Sequence, residues 1–470
     1  MFRNFAFFTI GLTLVPGCVR YVPRPIDPPL LEQSYRTRSL SDANLETFFD
    51  TNSAVKPQAW PPQSFDLEGL TVLALYFSPD LDEARSRIAA SEAAITTARA
   101  RPNPSVVGGG GYTDAEQSPY AFRFDLDVPF ETAGKKQYRV RRAQQLTEAA
   151  RFSLGETAWG VRSRLRKAVV DHLISGRELE QRSAEAQIRQ EIVAIYERRL
   201  EVGEVATPFV TAARTDLSRV QLEIEQLQGR VIETRAAIAG IVGLPAPALD
   251  NIQFALADLE KPPTEQALKI QDVQKRGLMN RLDVQRLLAE YAASDSDLRL
   301  QVARQYPDTV LAPGYSFGEG ANSYLVGPGL VLPLFDRNRG PIAEADARRG
   351  AAGARFLSAQ AAAITEMERG LADYRSALRQ LNQSQATLDL VRQREQTTER
   401  QLNAGEVDRL AVVSVRLEAA ASDRDRLSAL RRAHAALGAL EDAVQYPLPA
   451  GTKMPEPPIT NPRERGGPPR

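Results

Sequence analysis

Two histidines, one cysteine and four methionines are all that 470 residues offer to imidazole or sulfur chemistry. A transition-metal site needs several nitrogen or sulfur ligands converging on one ion. His172 and His434 lie far apart in the chain, and no cysteine stands near either. His434 shares three-four spacing with Leu427, Leu430 and Leu437, which places it in a helix-packing stripe rather than a ligand set. No serine, histidine and aspartate fall together on loops, so no catalytic centre and no metal are expected, and the chain does not read as an enzyme. Gly134-Lys135 imitates the end of a phosphate loop, but the upstream glycine such a loop requires falls at Pro129.

Cys18 is a different case. Arg3 and the apolar run from Phe5 to Val15 make residues 1–17 a secretion signal, too short to span a bilayer. A lone cysteine directly after such a signal cannot form an internal disulfide. Its position resembles a bacterial lipobox, where signal removal exposes the cysteine to acylation, palmitate included. Val19 after it favours, by the same resemblance, the outer membrane. That covalent lipid is the only prosthetic group expected; no other cofactor is called for. Lysines plus arginines number 59, as do the acids, so no basic excess points to nucleic acid.

The remaining reactive groups are carboxylates at turns, Glu204, Glu406 and Asp408. Asp408 can cap the helix that follows it, and a glutamate near a helix start suits the helix dipole. Alternatively, symmetry copies of these acids form a ring that narrows a mouth and attracts cations. They are candidate gate residues under that second reading. The basic residues Lys135, Lys136, Arg139, Arg337 and Arg339 cluster just after the strands, facing headgroups or water.

What positions these groups is a duplicated chain. Asp80, Ala89, Pro102, Pro129 and Gly203 recur as Asp283, Ala292, Pro307, Pro333 and Gly405, at offsets of 203, 203, 205, 204 and 202. Five landmarks in order at a nearly constant offset mark an internal repeat. Residues 66–250 form repeat 1 and residues 260–446 repeat 2. Residues 18–65, rich in proline, read as an extended, lipid-anchored leader. Residues 447–470, with eight prolines in 24 positions, read as a disordered tail.

Within repeat 1, a short amphipathic helix is expected over 66–77 and an Ala-rich one over 79–101, ending before Pro102. No proline falls between Phe130 and Thr207, and the stretch is dense in good helix formers. One helix over about 135–202 would run to roughly 100 Å. Gly203 breaks it, and Thr207-Pro208 reads as N-cap and first helical position. The next helix runs to about Val242. Repeat 2 follows the same plan, with Gly405 in the place of Gly203. Leu371, Tyr374, Leu378, Leu381 and Leu388 keep three-four spacing, as do Val413, Leu417, Ala420, Leu427, Leu430 and Leu437, which predicts coiled-coil packing. Helices this long must lie side by side in a tube or bundle.

Between the helices sit two β-pairs, over about 105–113 and 120–130, then 309–318 and 324–335. Tyr120, Phe122, Phe124, Leu126 and Val128 alternate with Ala121, Arg123, Asp125, Asp127 and Pro129. Period two puts the apolar set on one face and the charges on the other. A soluble half-buried strand has the same pattern, but 11 residues also suffice to cross a bilayer when tilted. No stretch reaches 18 apolar residues, so a membrane crossing beyond the signal must be made of strands. Four strands cannot close a membrane barrel, whose smallest forms have about eight. Strands must then come from several copies: two chains would supply eight, three would supply twelve. The larger ring is favoured because eight strands leave little lumen.

These landmarks resemble the TolC-like outer membrane efflux family over residues 66–446. Leu332-Pro333-Leu334-Phe335 to Gly340 and Glu131 to Lys136 look like strand-to-helix junctions of its cobalt–zinc–cadmium branch, with Pro129, Gly134, Pro333, Phe335 and Gly340 as the junction residues. The resemblance implies a mainly α fold with a β-barrel contribution. Two repeats of long helices plus a hairpin supply four strands per chain. A homotrimer forms a 12-stranded outer-membrane β-barrel and a periplasmic α-helical barrel. It further implies a passive exit duct serving a periplasmic adaptor and an inner-membrane pump of the resistance-nodulation-division type, with heavy-metal cations as cargo. The alternatives are a non-conducting periplasmic coiled-coil lipoprotein and, within transport, a cargo of drugs or small organic molecules.

Overall fold

The computed structural model describes residues 20–53, 56–57, 59–112, 114, 119–268, 281–448 and 454–464. The signal, residues 1–17, and Cys18 lie outside them. Nine α-helices and six strands are numbered here in chain order among the described residues. Repeat 1 holds α3 (Leu67–Phe77), α4 (Pro79–Arg99), β2 (Ser105–Tyr112), β3 (Tyr120–Phe130), α5 (Lys135–Glu201) and α6 (Thr207–Val242). Repeat 2 holds α7 (Leu282–Ala303), β5 (Thr309–Gly318), β6 (Ala321–Leu330), α8 (Arg339–Asn403) and α9 (Arg409–Val444). Corresponding helices have 21 and 22, 67 and 65, and 36 and 36 residues, so the duplication read from five landmarks extends to the lengths of these three helix pairs. Residues 269–280, expected in repeat 2, lie outside the described set.

The two tips are the same structure twice. Gly203 and Gly405 adopt φ of 77° and 74°, where a side chain would be strained. The N–H of Glu204 donates to Arg199 O, as that of Glu406 does to Gln401 O, closing the last turn of each long helix. Thr207 is already helical and Ala206 holds the cap position without a side-chain bond, so Pro208 falls one place later than expected.

The leader is not extended. Asp27 caps α1 (Pro28–Arg36) and Asp42 caps α2 (Ala43–Asn52), with Pro28 and Pro29 in the first turn, where no intrahelical N–H is needed. Leu40, Leu45 and Phe49 enter one core with α3 and the end of α6. Arg38 donates to Phe77 O and Gly243 O, and Trp60 Nε1 donates to Leu40 O at 2.7 Å. β1 (Ser64–Phe65) pairs in parallel with β4 (Gln253–Phe254), tying the leader to the linker between repeats. Helix α3 is buried from Gly69 to Phe77 on every side rather than amphipathic, because the leader covers the face that would otherwise meet water. Gly243, at φ 92°, lies so close that an added Cβ would sit 2.6 Å from Phe77 O.

The tail also departs from expectation. Among residues 454–464, Met454 packs on the Leu75 and Ile88 cluster, Pro458 O accepts from Arg85 Nε at 2.9 Å, and Arg463 pairs with Asp82. Prolines have no N–H to satisfy, so two arginine side chains suffice to hold this strap. Because the leader is part of the core, Leu45→Ala should lower stability by about 2–5 kcal/mol. Thermal melting of the helical signal measures it, and an unchanged midpoint would mean the leader contributes no core.

Candidate functional site

One sheet of order β2-β3-β5-β6, antiparallel throughout, carries both hairpins. Its register decides the faces. Phe122 lies opposite Gly110 and Phe317, and Phe124 opposite Gly108 and Tyr315. Tyr315 in turn faces Tyr324, and Pro313 faces Val326. Directly opposed residues share a face, so Tyr120, Phe122, Phe124, Leu126 and Val128 form one surface with Tyr112, Tyr315, Phe317 and Tyr324. Ring contacts join it across the strands: Tyr112 with Tyr120 at 5.8 Å, Phe122 with Phe317 at 6.5 Å and Tyr315 with Tyr324 at 5.4 Å. Tyr120, Phe122 and Phe124 are exposed; Leu126 and Val128 are half-buried.

The opposite face carries Arg123, Asp125 and Asp127, with Gly109, Gly327 and Ser323 among small neighbours and Leu325 as an apolar exception. Arg123 pairs with Asp125 at 2.5 Å. Gly314 faces Asp125, and a side chain there would collide with the carboxylate. Strand β6 begins three residues earlier than expected and ends at Leu330, where its partner β5 begins at Thr309. Val331 to Phe335 therefore have no ladder, and a turn from Leu334 N to Leu332 O closes around Pro333. Phe335 is wholly exposed.

The junctions into the long helices use left-handed residues. Gly134 (φ 73°) precedes α5, and Asn338 (φ 58°) precedes α8. Gly340, the expected junction residue, is inside α8; Asn338 takes the turn, with its Nδ2 donating to Gln301 O at 2.7 Å. Asparagine tolerates that conformation better than other side chains, a signal the sequence carried. Lys135 is buried, not solvated: its Nζ donates to Tyr306 O and Asp308, both at 2.7 Å. Arg139 grips Glu131 and the carbonyls of Ala98 and Ala100. Pro129 lies within β3, opposite Val310.

At the far end, the three acids are not equivalent. Asp408 caps α9, accepting from Ala411 N at 2.9 Å, and pairs with Arg199 at 2.6 Å. Glu204 lies 3.9 Å from the same guanidinium. Glu406 is exposed and makes no ion pair among the described residues. Arg199, which residue typing alone did not single out, thus joins the turn of repeat 1 to the start of α9. Further up that seam, Arg409 pairs with Glu191, Arg424 with the buried Glu185, Arg431 with Glu178 at 2.6 Å, and Arg162 and Arg166 with the buried Glu441. The α5–α9 contact between repeats sets these ion pairs beside an apolar cluster of Val170, Ile174, Leu427 and Leu430. His434 is buried, its Nε2 donating to Leu259 O, a packing role; His172 Nδ1 meets Thr234 Oγ1 at 3.0 Å. Among the described residues, no three His, Cys, Asp or Glu side chains are placed to hold a metal ion, and no helix is long and apolar enough to cross a membrane.

Every layer is an open ribbon. Helix packing runs α4-α5-α7-α8 beside the sheet and α6-α5-α9-α8 toward the tips, and no extended packing joins α4 or α6 to α8 among the described residues. Each ribbon has repeat 1 at one margin and repeat 2 at the other, as the sheet has β2 and β6. Two helices of roughly 100 Å, α5 and α8, run from the hairpins with one aromatic face to the tips.

The family model described as "Outer membrane efflux protein" matches residues 70–244 and 275–444, one segment per repeat, and the chain belongs to that family. The cobalt-zinc-cadmium resistance protein CzcC of Cupriavidus metallidurans is 24% identical over 296 residues, 62% of this chain and 69% of that one. The pyoverdine export outer membrane protein OpmQ of Pseudomonas putida is 24% identical over 323 residues, 61% of this chain and 67% of that one. The outer membrane protein VceC of Vibrio cholerae superposes with a TM-score of 0.66 at 19% identity, over 80% of this chain and 95% of that one.

Arg199 first, then the Ala411 N–H, holds the Asp408 carboxyl below the usual carboxylate range. A depressed carboxylate stabilises the fold above its unfolded value, near 4, and that contribution is lost as pH falls through the lower folded value. The tip link should therefore persist at neutral and mildly acid pH and fail in stronger acid. Protease protection at residues 199–209, followed against pH, checks this. Asp408→Asn should reduce protection already at pH 7, whereas Glu406→Gln should leave it unchanged.

Proposed function

We propose that this chain is the protomer of a trimeric exit duct in the bacterial outer membrane. The observation that carries the reading is the shared openness of sheet and helical layers. Strand margins in hydrocarbon leave N–H and C=O groups unpaired, each at a cost of several kcal/mol. Joining β2 of one copy to β6 of the next satisfies them, and the same rotation brings the helical margins together. Three copies of a four-stranded sheet make twelve strands, a barrel with a bore rather than a side-chain-filled one. The aromatic face turns to lipid and the Arg123, Asp125 and Asp127 face lines the lumen. Below it, the long helices continue the bore as a periplasmic tube.

The duct is passive and performs no chemistry; an inner-membrane pump of the resistance-nodulation-division type, coupled through a periplasmic adaptor, supplies the energy. Acylation at Cys18 anchors the leader to the membrane. The relative that confers cobalt, zinc and cadmium resistance supports heavy-metal cations as cargo, while the pyoverdine exporter supports a small organic cargo. Cargo is assigned to the pump, and the free Glu406 carboxylates are the best placed of the three tip acids to bias cations at the inner mouth.

The test contrasts the two faces of the sheet. Phe124→Arg puts a charge on the lipid face, at about 2–4 kcal/mol near the bilayer midplane, and should abolish the heat-modifiable trimer in outer-membrane fractions. Ser316→Arg on the lumen side should assemble and reduce single-channel conductance. Normal assembly and conductance in both variants would exclude the duct.

A further inference from the structure

Where the linker between the repeats crosses α5, α8 and α9, it leaves a cleft of about 860 Å³. Leu173, Leu378, Leu381, Leu427 and Leu430 give the cleft an apolar floor, continuous with the cluster that joins α5 to α9. Charged side chains, Arg177, Lys261 and Arg379 among them, stand exposed at its rim. A concavity of this size, with an apolar floor and a few polar groups at the edge, has the form of a small-molecule site. Every lining residue belongs to one chain, so the cleft is complete without a second copy.

The rim sets the charge of the ligand. Five bases and four acids line the cleft, and all four carboxylates are taken. Arg177 holds Glu180 and Glu260, Arg375 holds Glu265 at 2.5 Å, and Arg426 holds Asp423 at 2.8 Å. Arg379 and Lys261 are left over, with no ion pair or hydrogen bond among the described residues. Two uncommitted cations beside an apolar floor attract an anion and repel a metal cation. The repeats differ at this place. Trp60-Pro61-Pro62 of the leader recurs as Lys261-Pro262-Pro263 of the linker, at an offset of 201. Trp60 packs on the core of the first repeat, whereas Lys261 borders open space. The second copy thus carries a cation where the first carries a core-filling aromatic.

We propose that this cleft binds a soluble amphipathic organic anion, its apolar body on the leucines and its anionic group on Arg379 and Lys261. A bilayer lipid is not the occupant. Arg177 is 42 residues along α5 from Lys135, about 60 Å from the sheet. Bound there, the anion touches α5 of repeat 1, α8 and α9 of repeat 2 and the linker between them. Occupancy therefore stabilises the contact between repeats by mass action.

The experiment uses the full chain in lipid nanodiscs, titrated calorimetrically with sodium naphthalene-2-sulfonate against empty discs. The probe should bind saturably, one per chain. 2-Naphthol, which lacks the charge, and inorganic sulfate, which lacks the apolar body, should each bind weaker by about tenfold or more. Arg379→Glu combined with Lys261→Glu should weaken the probe by about the same factor, and Arg379→Lys should retain it, with helical circular dichroism unchanged in each. Equal affinity for 2-naphthol, uptake that does not saturate, or a folded double variant that binds as the parent does overturns the proposal. Trimer formation is read separately from the size of the disc-bound protein. Loss of the site therefore leaves the duct standing, and loss of the trimer leaves the site standing.

Discussion

Backbone hydrogen bonding along the outer sides of β2 and β6 constrains this molecule more than any side-chain contact. Inside water an open strand margin is tolerable, because solvent supplies the missing partners. If the aromatic face of Tyr112, Tyr120, Phe122, Phe124 and Tyr324 meets lipid, as proposed, solvent is excluded beside it and the margin must be closed by backbone. One chain has too few strands to bend round and meet itself. The duplicated architecture answers this constraint: it places repeat 1 at one margin and repeat 2 at the other in the sheet and in both helical layers.

The two kinds of helix contact divide the labour. Pairs within a repeat, α5 with α6 and α8 with α9, pack through apolar residues such as Val220 and Leu388. The contact between repeats, α5 with α9, adds to the apolar cluster of Val170, Ile174, Leu427 and Leu430 a row of ion pairs centred on the buried Glu185 and Glu441 and on Asp408 at the tip. Buried charges contribute little net stability but are strongly destabilising when one partner is lost. They therefore fix the register of one repeat on the other more than they hold the two together. Charge also distinguishes the tip acids: Arg199 takes up Asp408 and approaches Glu204, and Glu406 remains facing solvent.

Much of this was legible in the amino-acid order. The repeat, the helices broken at Gly203 and Gly405, the first hairpin and the packing place of His434 all follow from periodicity, and periodicity is a local property. The leader, the tail and β6 were misread for one reason. Proline content at 18–65 and 447–470 suggests unfolded chain, yet the core that accepts Leu45 and Phe49 is completed by Val161, Leu165 and Ile238, and the one that accepts Met454 by Leu75 and Ile88, all remote in sequence. The apolar run at 324–335 carries no sign that Leu330 is the residue opposite Thr309, and so no sign that its last five residues lack a ladder. Gly340 is a junction residue by resemblance alone, and the left-handed turn falls at Asn338.

Local order alone determined which residues form helices and strands, where the turns fall and which face of the first hairpin is apolar, since each depends on neighbours within a few turns. Tertiary structure alone decided that all four strands share one aromatic face, that Arg199 reaches Asp408, and that the leader and tail fold back. Those outcomes depend on registers between segments hundreds of residues apart. Hydrogen-bond pairing and burial set such registers, and neither has a period that can be read along the chain.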